Sequence, residues 1–413
     1  MLTNSSVAIT GMGVVSALGI GLEAFDSALR TGNSGICQKV SDDDVDVWAP
    51  LPDCNVVSQC EKLGVDEATI KRLTRVSHRS SKGLKCSLVA ATEAWKQAGL
   101  EYLDGEQVGL IIAGNNLTNN ETVDTYQRLL QGKHVRPSYA VQFLDTNYVG
   151  VISEALSLYG EGYSIGGASA SGGVAIAQGR RAILSGDVSA VLIVGVPMLL
   201  SRAELSAFYS AGALYQGGVT DDPSLASCPF DQGAAGFVYG QAAAALVLEP
   251  YERAGERALA ILKSATMALD ANHSTNPRIE TEKKVMQAAM KQASLKPCDI
   301  DLVSTHGTSS ALGDKVEASA LSGVFDQVGA RPWINATKSL TGHCLSSAGI
   351  IEAVAAVLQL RGCYMHPNPT LYRPINSSLS WVGNRAQQCQ FQAVMSNSFG
   401  FGGINSSQIF TLT

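Results

Sequence analysis

The sequence predicts an α/β protein built in layers. Short apolar, β-branched runs recur along the whole chain, helical patterns alternate with them, and some of those helices are apolar on most sides. Alternating strands and helices are the pattern of an α/β fold. A helix that lacks a polar face must be buried all round. A layered α/β/α/β/α sandwich buries its middle helices in that way.

Taken in order, residues 7–15 read as the first strand, 80–98 as a helix and 108–113 as a second strand. Ser164-Ile165 ends a further strand, and a helix runs over 171–184. Strands at 190–196 and 243–248 complete the first half. The second half repeats the alternation. Strands are expected at 259–262, 300–304, 334–337, 390–395 and 408–412, with helices at 280–293 and 346–360. The stretch 249–257, with Pro250 and a run of charges, is the one plausible seam, dividing the chain into 1–250 and 251–413. Each half opens with a strand leading into a glycine turn, Ile9-Thr10-Gly11-Met12-Gly13 and Val303-Ser304-Thr305-His306-Gly307, which hints at internal duplication.

Composition narrows the function. The chain has 413 residues, 46% hydrophobic and 16% charged, with 41 glycines, which suits a large core crossed by close-packed elements. A net charge of -6 argues against general nucleic-acid binding. The nine cysteines are scattered without a C-x-x-C pair, so they read as reduced thiols and supply neither a disulfide framework nor a metal site. There is no signal-peptide pattern and no apolar run of the ~20 residues a membrane helix needs. The expectation is a soluble, cytoplasmic protein with no membrane partner and no cofactor.

Four strings carry the chemistry. The first is Gly166-Gly167-Ala168-Ser169-Ala170-Ser171-Gly172-Gly173. The second is His306-Gly307-Thr308-Ser309-Ser310, followed by Leu312-Gly313-Asp314. The third is Lys338-Ser339-Leu340-Thr341-Gly342-His343, and the fourth is Asn397-Ser398-Phe399-Gly400-Phe401-Gly402-Gly403. Ser169 would lie on a turn between a strand and the N-terminus of a helix, where backbone N–H groups favour negative charge. A thiol there ionises readily. An alcohol does not, and it needs a general base within hydrogen-bonding reach. No spare base is evident in the sequence. Alone, the first string is an ordinary small-residue turn.

In this order and spacing the strings resemble the β-ketoacyl synthases of fatty-acid and polyketide synthesis, nearly end to end. The resemblance implies the thiolase fold, two similar halves joined face to face in a five-layer αβαβα sandwich. In that family the position of Ser169 is a cysteine that takes the acyl chain. The resemblance assigns His306 and His343 as donors to an enolate oxygen, and Lys338, paired with Glu352, as support for His306. Phe401 becomes a gate whose backbone N–H joins the oxyanion hole, with Phe399, Thr308 and Asp314 beside it. Related synthases dock acidic carrier proteins on a basic patch, expected here at Lys71, Arg72, Arg75, Arg79 and Lys82. The chain departs from the family at Gln241, Ala311, Cys344, Ser346, Ser347 and Ile404. None of these removes a donor, but Ser346 and Ile404 put accommodation of a long acyl chain in doubt.

The expected activity follows from what remains when the thiol is lost. Acyl loading fails, whereas decarboxylation needs only the two imidazoles and their supports. The chain thus resembles the serine-variant ketosynthases of bacterial β-branching cassettes, which convert malonyl-acyl carrier protein to acetyl-acyl carrier protein. The expected partners are malonyl-loaded carrier protein, a second copy of the chain and an HMG-CoA-synthase-like pathway enzyme. Two alternatives stand beside this: elongation with Ser169 acylated as an ester, or a silent partner like a chain-length factor.

Overall fold

The computed structural model describes residues 6–39, 46–218 and 220–412. The strands that position the site are β1 (Val7–Ser16), β2 (Val108–Ala113), β3 (Gly162–Ile165), β4 (Ala190–Gly195) and β5 (Ala242–Pro250) in the first half. In the second half they are β6 (Ala260–Leu269), β7 (Leu302–Ser304), β8 (Trp333–Asn335), β9 (Ala393–Gly400) and β10 (Ile404–Thr411). The helices are α1 (Glu67–Ser77), α2 (Lys82–Ala98), α3 (Asn119–Leu130), α4 (Ser171–Ser185), α5 (Ile279–Ala293), α6 (Ala311–Phe325) and α7 (Ala348–Gly362).

The strand order is β3-β2-β4-β5-β1 in the first half and β8-β7-β9-β10-β6 in the second. In each, the first three strands run parallel and the last two antiparallel, so the halves repeat strand for strand. The two sheets touch where β1 pairs with β6, Val7 opposite Leu262 and Ile9 opposite Ala260. This corrects the equivalence read from the sequence. Residues 9–13 lie inside β1 and are no turn, and the counterpart of β1 is β6, not the β7 strand that precedes His306. The glycines of β1 serve close approach instead. A Cβ on Gly11 would lie 2.0 Å from the Ala94 carbonyl oxygen, and one on Gly13 would lie 2.0 Å from that of Ala90, so their absence lets α2 rest on the strand.

Helices α4 and α7 form the middle layer, packed on each other and on strands of both sheets. α2 covers β1 and β5 on one outer face, while α5 and α6 cover the other. That is the layering the fold class requires. α7 is apolar almost all round and buries Ile350, Ile351, Val354, Val357 and Leu360. Each such side chain contributes about 1.5–3 kcal/mol. The segment Leu345–Gly362 is long and apolar enough to cross a membrane, but 83% of it lies buried inside the molecule. At the seam, Glu249 is buried and held by Thr10 (2.6 Å) and by Arg257 (2.7 and 2.8 Å). The charges of this stretch therefore tie the halves together. The strand expected at 390–395 begins later and runs on to Gly400, because its hairpin with β10 extends the ladder to Phe399 opposite Asn405 and Gly400 opposite Ile404.

Candidate active site

Ser169 sits on a single turn between β3 and α4. Ala168 before it is forced to a positive φ of 49°. Ser171 locks that geometry: its Oγ accepts the Gly167 N–H at 2.9 Å and donates to the Ala168 carbonyl at 2.7 Å. Small residues are needed because α4 enters against α7. A Cβ on Gly172 would lie 2.6 Å from the Ile350 nitrogen, and one on Gly349 would lie 2.9 Å from the Gly173 nitrogen. The β9–β10 hairpin closes over the same turn, where a Cβ on Gly400 would lie 2.5 Å from the Gly167 oxygen. Phe399 and Gly400 are strand rungs, so the turn itself is confined to Phe401–Gly403, with positive φ at Gly402 and Gly403.

His306 and His343 arrive from the second half, at the ends of β7 and of the short helix Lys338–Thr341. Their ring centroids are 5.6 Å apart and their planes stand at 85°. Two hydrogen bonds of about 2.9 Å meeting at one oxygen span a gap of this size. Burial, then Lys338, then His343 hold His306 well below the usual histidine pKa; burial and Lys338 do the same to His343. Both rings are therefore neutral donors.

Ser169 Oγ lies 2.9 Å from His343 Nε2, so the sequence expectation that no base stands within reach needs correcting in geometry. The proton decides its role. The Leu345 N–H donates to His343 Nδ1 at 3.3 Å. A neutral imidazole has one acceptor and one donor nitrogen. With Nδ1 accepting, Nε2 carries the hydrogen and donates to Ser169. It cannot take the serine proton in this tautomer.

His306 is fixed likewise. Lys338 Nζ is 3.4 Å from His306 Nδ1 and donates to the His306 carbonyl at 2.5 Å. An ammonium only donates, so Nδ1 accepts and Nε2–H is left for the cavity. Glu352 forms an ion pair with Lys338, both side chains being 2% exposed. Burial lifts the Glu352 carboxyl to about 7 against the pull of that ammonium.

Two acids hold the loop after β7: Asp314, which the sequence reading named, and Glu317, which it missed. Glu317 accepts the backbone N–H groups of His306 (2.9 Å) and Gly307 (2.8 Å). Asp314 accepts those of Thr308 (2.9 Å) and Phe230 (2.7 Å), so its geometry is that of a loop brace. Thr308 pairs with Ser310 at 2.8 Å and lines the cavity. No spacing rule flags Glu317, because the loop it caps is defined only by the fold. Aromatic rings complete the wall: Phe399 on His306 (5.7 Å), Phe237 on His343 (5.2 Å) and Phe208 on Phe401 (6.4 Å). Ser169, both histidines, Thr308, Asp314, Phe399 and Phe401 border one cavity of about 540 Å³. Lys338 and Glu352 stand behind it.

The basic stretch is less free than its sequence suggests. Lys71 pairs with Glu67 (2.7 Å), Arg75 with Glu154 (2.8 Å) and Lys82 with Asp53 (3.0 Å). Arg72 donates to Thr69 (2.7 Å) and to the Ala155 carbonyl (3.0 Å). Arg79 instead shares a depression with His78 and Arg136, a residue the sequence reading did not single out.

Comparison with known proteins gives a consistent picture. Family models described as the β-ketoacyl synthase N-terminal and C-terminal domains match residues 4–254 and 259–371. The chain is 34% identical to a polyketide biosynthesis malonyl-ACP decarboxylase, PksF of Bacillus subtilis, over 97% of this chain and 95% of that protein. It is 30% identical to 3-oxoacyl-(acyl-carrier-protein) synthase 2 of Coxiella burnetii, over 98% of each. Among solved structures, the ishigamide ketosynthase/chain length factor superposes with a TM-score of 0.85 at 26% identity, covering 100% of both chains.

Proposed function

The chain belongs to the β-ketoacyl synthase family, and within it we propose that this protein decarboxylates malonyl-acyl carrier protein to acetyl-acyl carrier protein. The observation that carries the reading is the pair of neutral imidazoles, each with its Nδ1 engaged and its Nε2–H turned to the cavity. On binding, the malonyl thioester oxygen takes the His343 N–H over from Ser169 and accepts the His306 N–H beside it. As the bond to the carboxylate breaks and carbon dioxide leaves, negative charge collects on that oxygen. Donors already in place stabilise it by on the order of 3 kcal/mol each in a dry site. Lys338 holds His306 in the donor tautomer, and the Leu345 amide does so for His343. The Phe399 ring beside His306 offers nothing to a carboxylate, which favours its loss. The malonyl-ACP decarboxylase relative supports the same reading.

The 2.9 Å contact between Ser169 and His343 gives a second reading a footing, in which Ser169 is acylated and the enzyme elongates. The tautomer weighs against it, since Ser169 receives that hydrogen bond. A silent, chain-length-factor-like role fits a chain without these donors better than one that has them.

Partners follow from the same reading. The malonyl group arrives on an acidic carrier protein, and we assign Arg79 with Arg136, which line one depression, as the basic ground that meets it. A homodimer is supported by α3, which buries none of its residues, and by Leu129, Leu130, Val141 and Phe143, which lie open on the surface. The setting we infer is cytoplasmic β-branching, with an HMG-CoA-synthase-like enzyme consuming the acetyl product. The direct test is to incubate the purified protein with malonyl-carrier protein and weigh the products. Acetyl-carrier protein is expected, and no release of carbon dioxide above background would end the reading.

A further inference from the structure

The cavity wall carries an acidic side chain that the reading above leaves without a task. Glu282 stands on the first turn of α5 and borders the same cavity as Ser169, His306 and His343. It is 1% exposed, and its Oε2 has no hydrogen-bond partner among the described residues. The three carboxylates around it are all engaged. Glu317 holds the His306 and Gly307 amides, Asp314 holds those of Thr308 and Phe230, and Asp270 accepts from Asn405 at 2.9 Å.

Glu282 has no such donor. The charges that reach it come from Glu317 and Asp314 on α6 and from Asp270 after β6, all of them negative. β10, which also packs on α5, brings no charged side chain, and on α5 itself Lys283 is turned to Glu280 (3.3 Å). A buried carboxylate in that company takes up a proton. Burial first, then these neighbours, raise the Glu282 pKa well above the ordinary carboxyl value. The site therefore holds a neutral carboxylic acid on the wall of its reaction chamber.

The chemistry has a use for one. Loss of carbon dioxide leaves an electron pair that a condensing enzyme would spend on an acyl carbon, and Ser169 presents no such electrophile. The enolate must be quenched by a proton at carbon. The two imidazole N–H groups are occupied at oxygen, and both they and the Ser169 hydroxyl are far weaker acids than a carboxylic acid. We propose that Glu282 protonates the α-carbon of the enolate, an assignment that rests on the decarboxylase reading. The carbon–carboxylate bond breaks and carbon dioxide departs. A carbon–hydrogen bond forms as the Glu282 O–H bond breaks, and the carboxylate regains its proton from water before the next turnover.

The test compares wild type with Glu282→Gln, which keeps size and neutrality, and with Glu282→Asp. Malonyl-carrier protein is turned over in an equal mixture of H2O and D2O. Carbon dioxide release and the deuterium content of the acetyl methyl group are both read. We expect Glu282→Gln to lower kcat about 100-fold with little change in KM, and Glu282→Asp to recover part of the loss. The wild-type rate should fall as rising pH ionises Glu282, and that limb should vanish in Glu282→Gln. The deuterium content should shift when water replaces the carboxyl as donor, which a merely structural role would not produce. A Glu282→Gln enzyme with wild-type kcat and unchanged deuterium content overturns the assignment alone. A wild-type enzyme that releases no carbon dioxide overturns the decarboxylase reading, and this inference with it.

Discussion

Around Ser169 the decisive neighbour is a backbone amide. The Leu345 N–H occupies His343 Nδ1, so the ring faces the serine as a donor. Nitrogen-15 spectra should show an unprotonated Nδ1 and a protonated Nε2 on His343; the reverse assignment would favour acylation of Ser169. Because both folded-state histidine pKa values are depressed, the rings stay neutral to well below the usual 6.5. The decarboxylation rate should therefore show no acid limb near pH 6.5. His306→Ala or His343→Ala should each cut that rate at least ~100-fold, whereas Ser169→Ala should leave most of it. Ser169→Cys should restore acyl self-loading, visible in intact mass, if the pocket still holds the chain. The order Ser169, His306, Lys338, His343 was legible from motif strings. The proton positions were not, because they depend on Leu345 and Lys338 reaching particular ring nitrogens.

At the scale of elements, the site is where two helices and a hairpin meet without side chains between them. α4 enters against α7 through Gly172 and Gly349, and the hairpin meets the turn through Gly400. Gly172→Ala should destabilise the fold by about 1–3 kcal/mol, since the methyl group meets backbone that cannot yield. A denaturant midpoint equal to wild type would show that the helices can part. Strands with runs of β-branched residues were readable from sequence, as were the apolar helices. The extent of β9 was not: its later rungs, Ser396-Asn397-Ser398, are polar, and hairpin pairing with β10 carries the strand through them.

For the whole molecule, the repeated strand order shows a duplicated architecture in which the first half supplies Ser169 and the second supplies both histidines. The chamber exists only when both halves are folded and apposed. The apolar surface of α3 and the segment after it is the feature this chain by itself leaves open. Leu130 is 87% exposed, and Leu130→Asp should shift the proposed homodimer toward monomer in sedimentation velocity. Identical sedimentation of the two proteins would place the contact elsewhere. The basic stretch shows the limit of reading charge along a chain, since acids distant in sequence neutralise Arg75 and Lys82.

Sequence by itself determined the fold class and the family, and it nominated the groups proposed to react, because apolar periodicity and motif spacing are local properties that survive in a string of letters. Tertiary structure alone decided which ring nitrogens carry protons, which cations of the basic stretch are paired, and that Glu282 Oε2 stands on the chamber wall without a donor among the described residues. Each of those is an electrostatic outcome of groups far apart in the chain brought within a few ångströms and shielded from water.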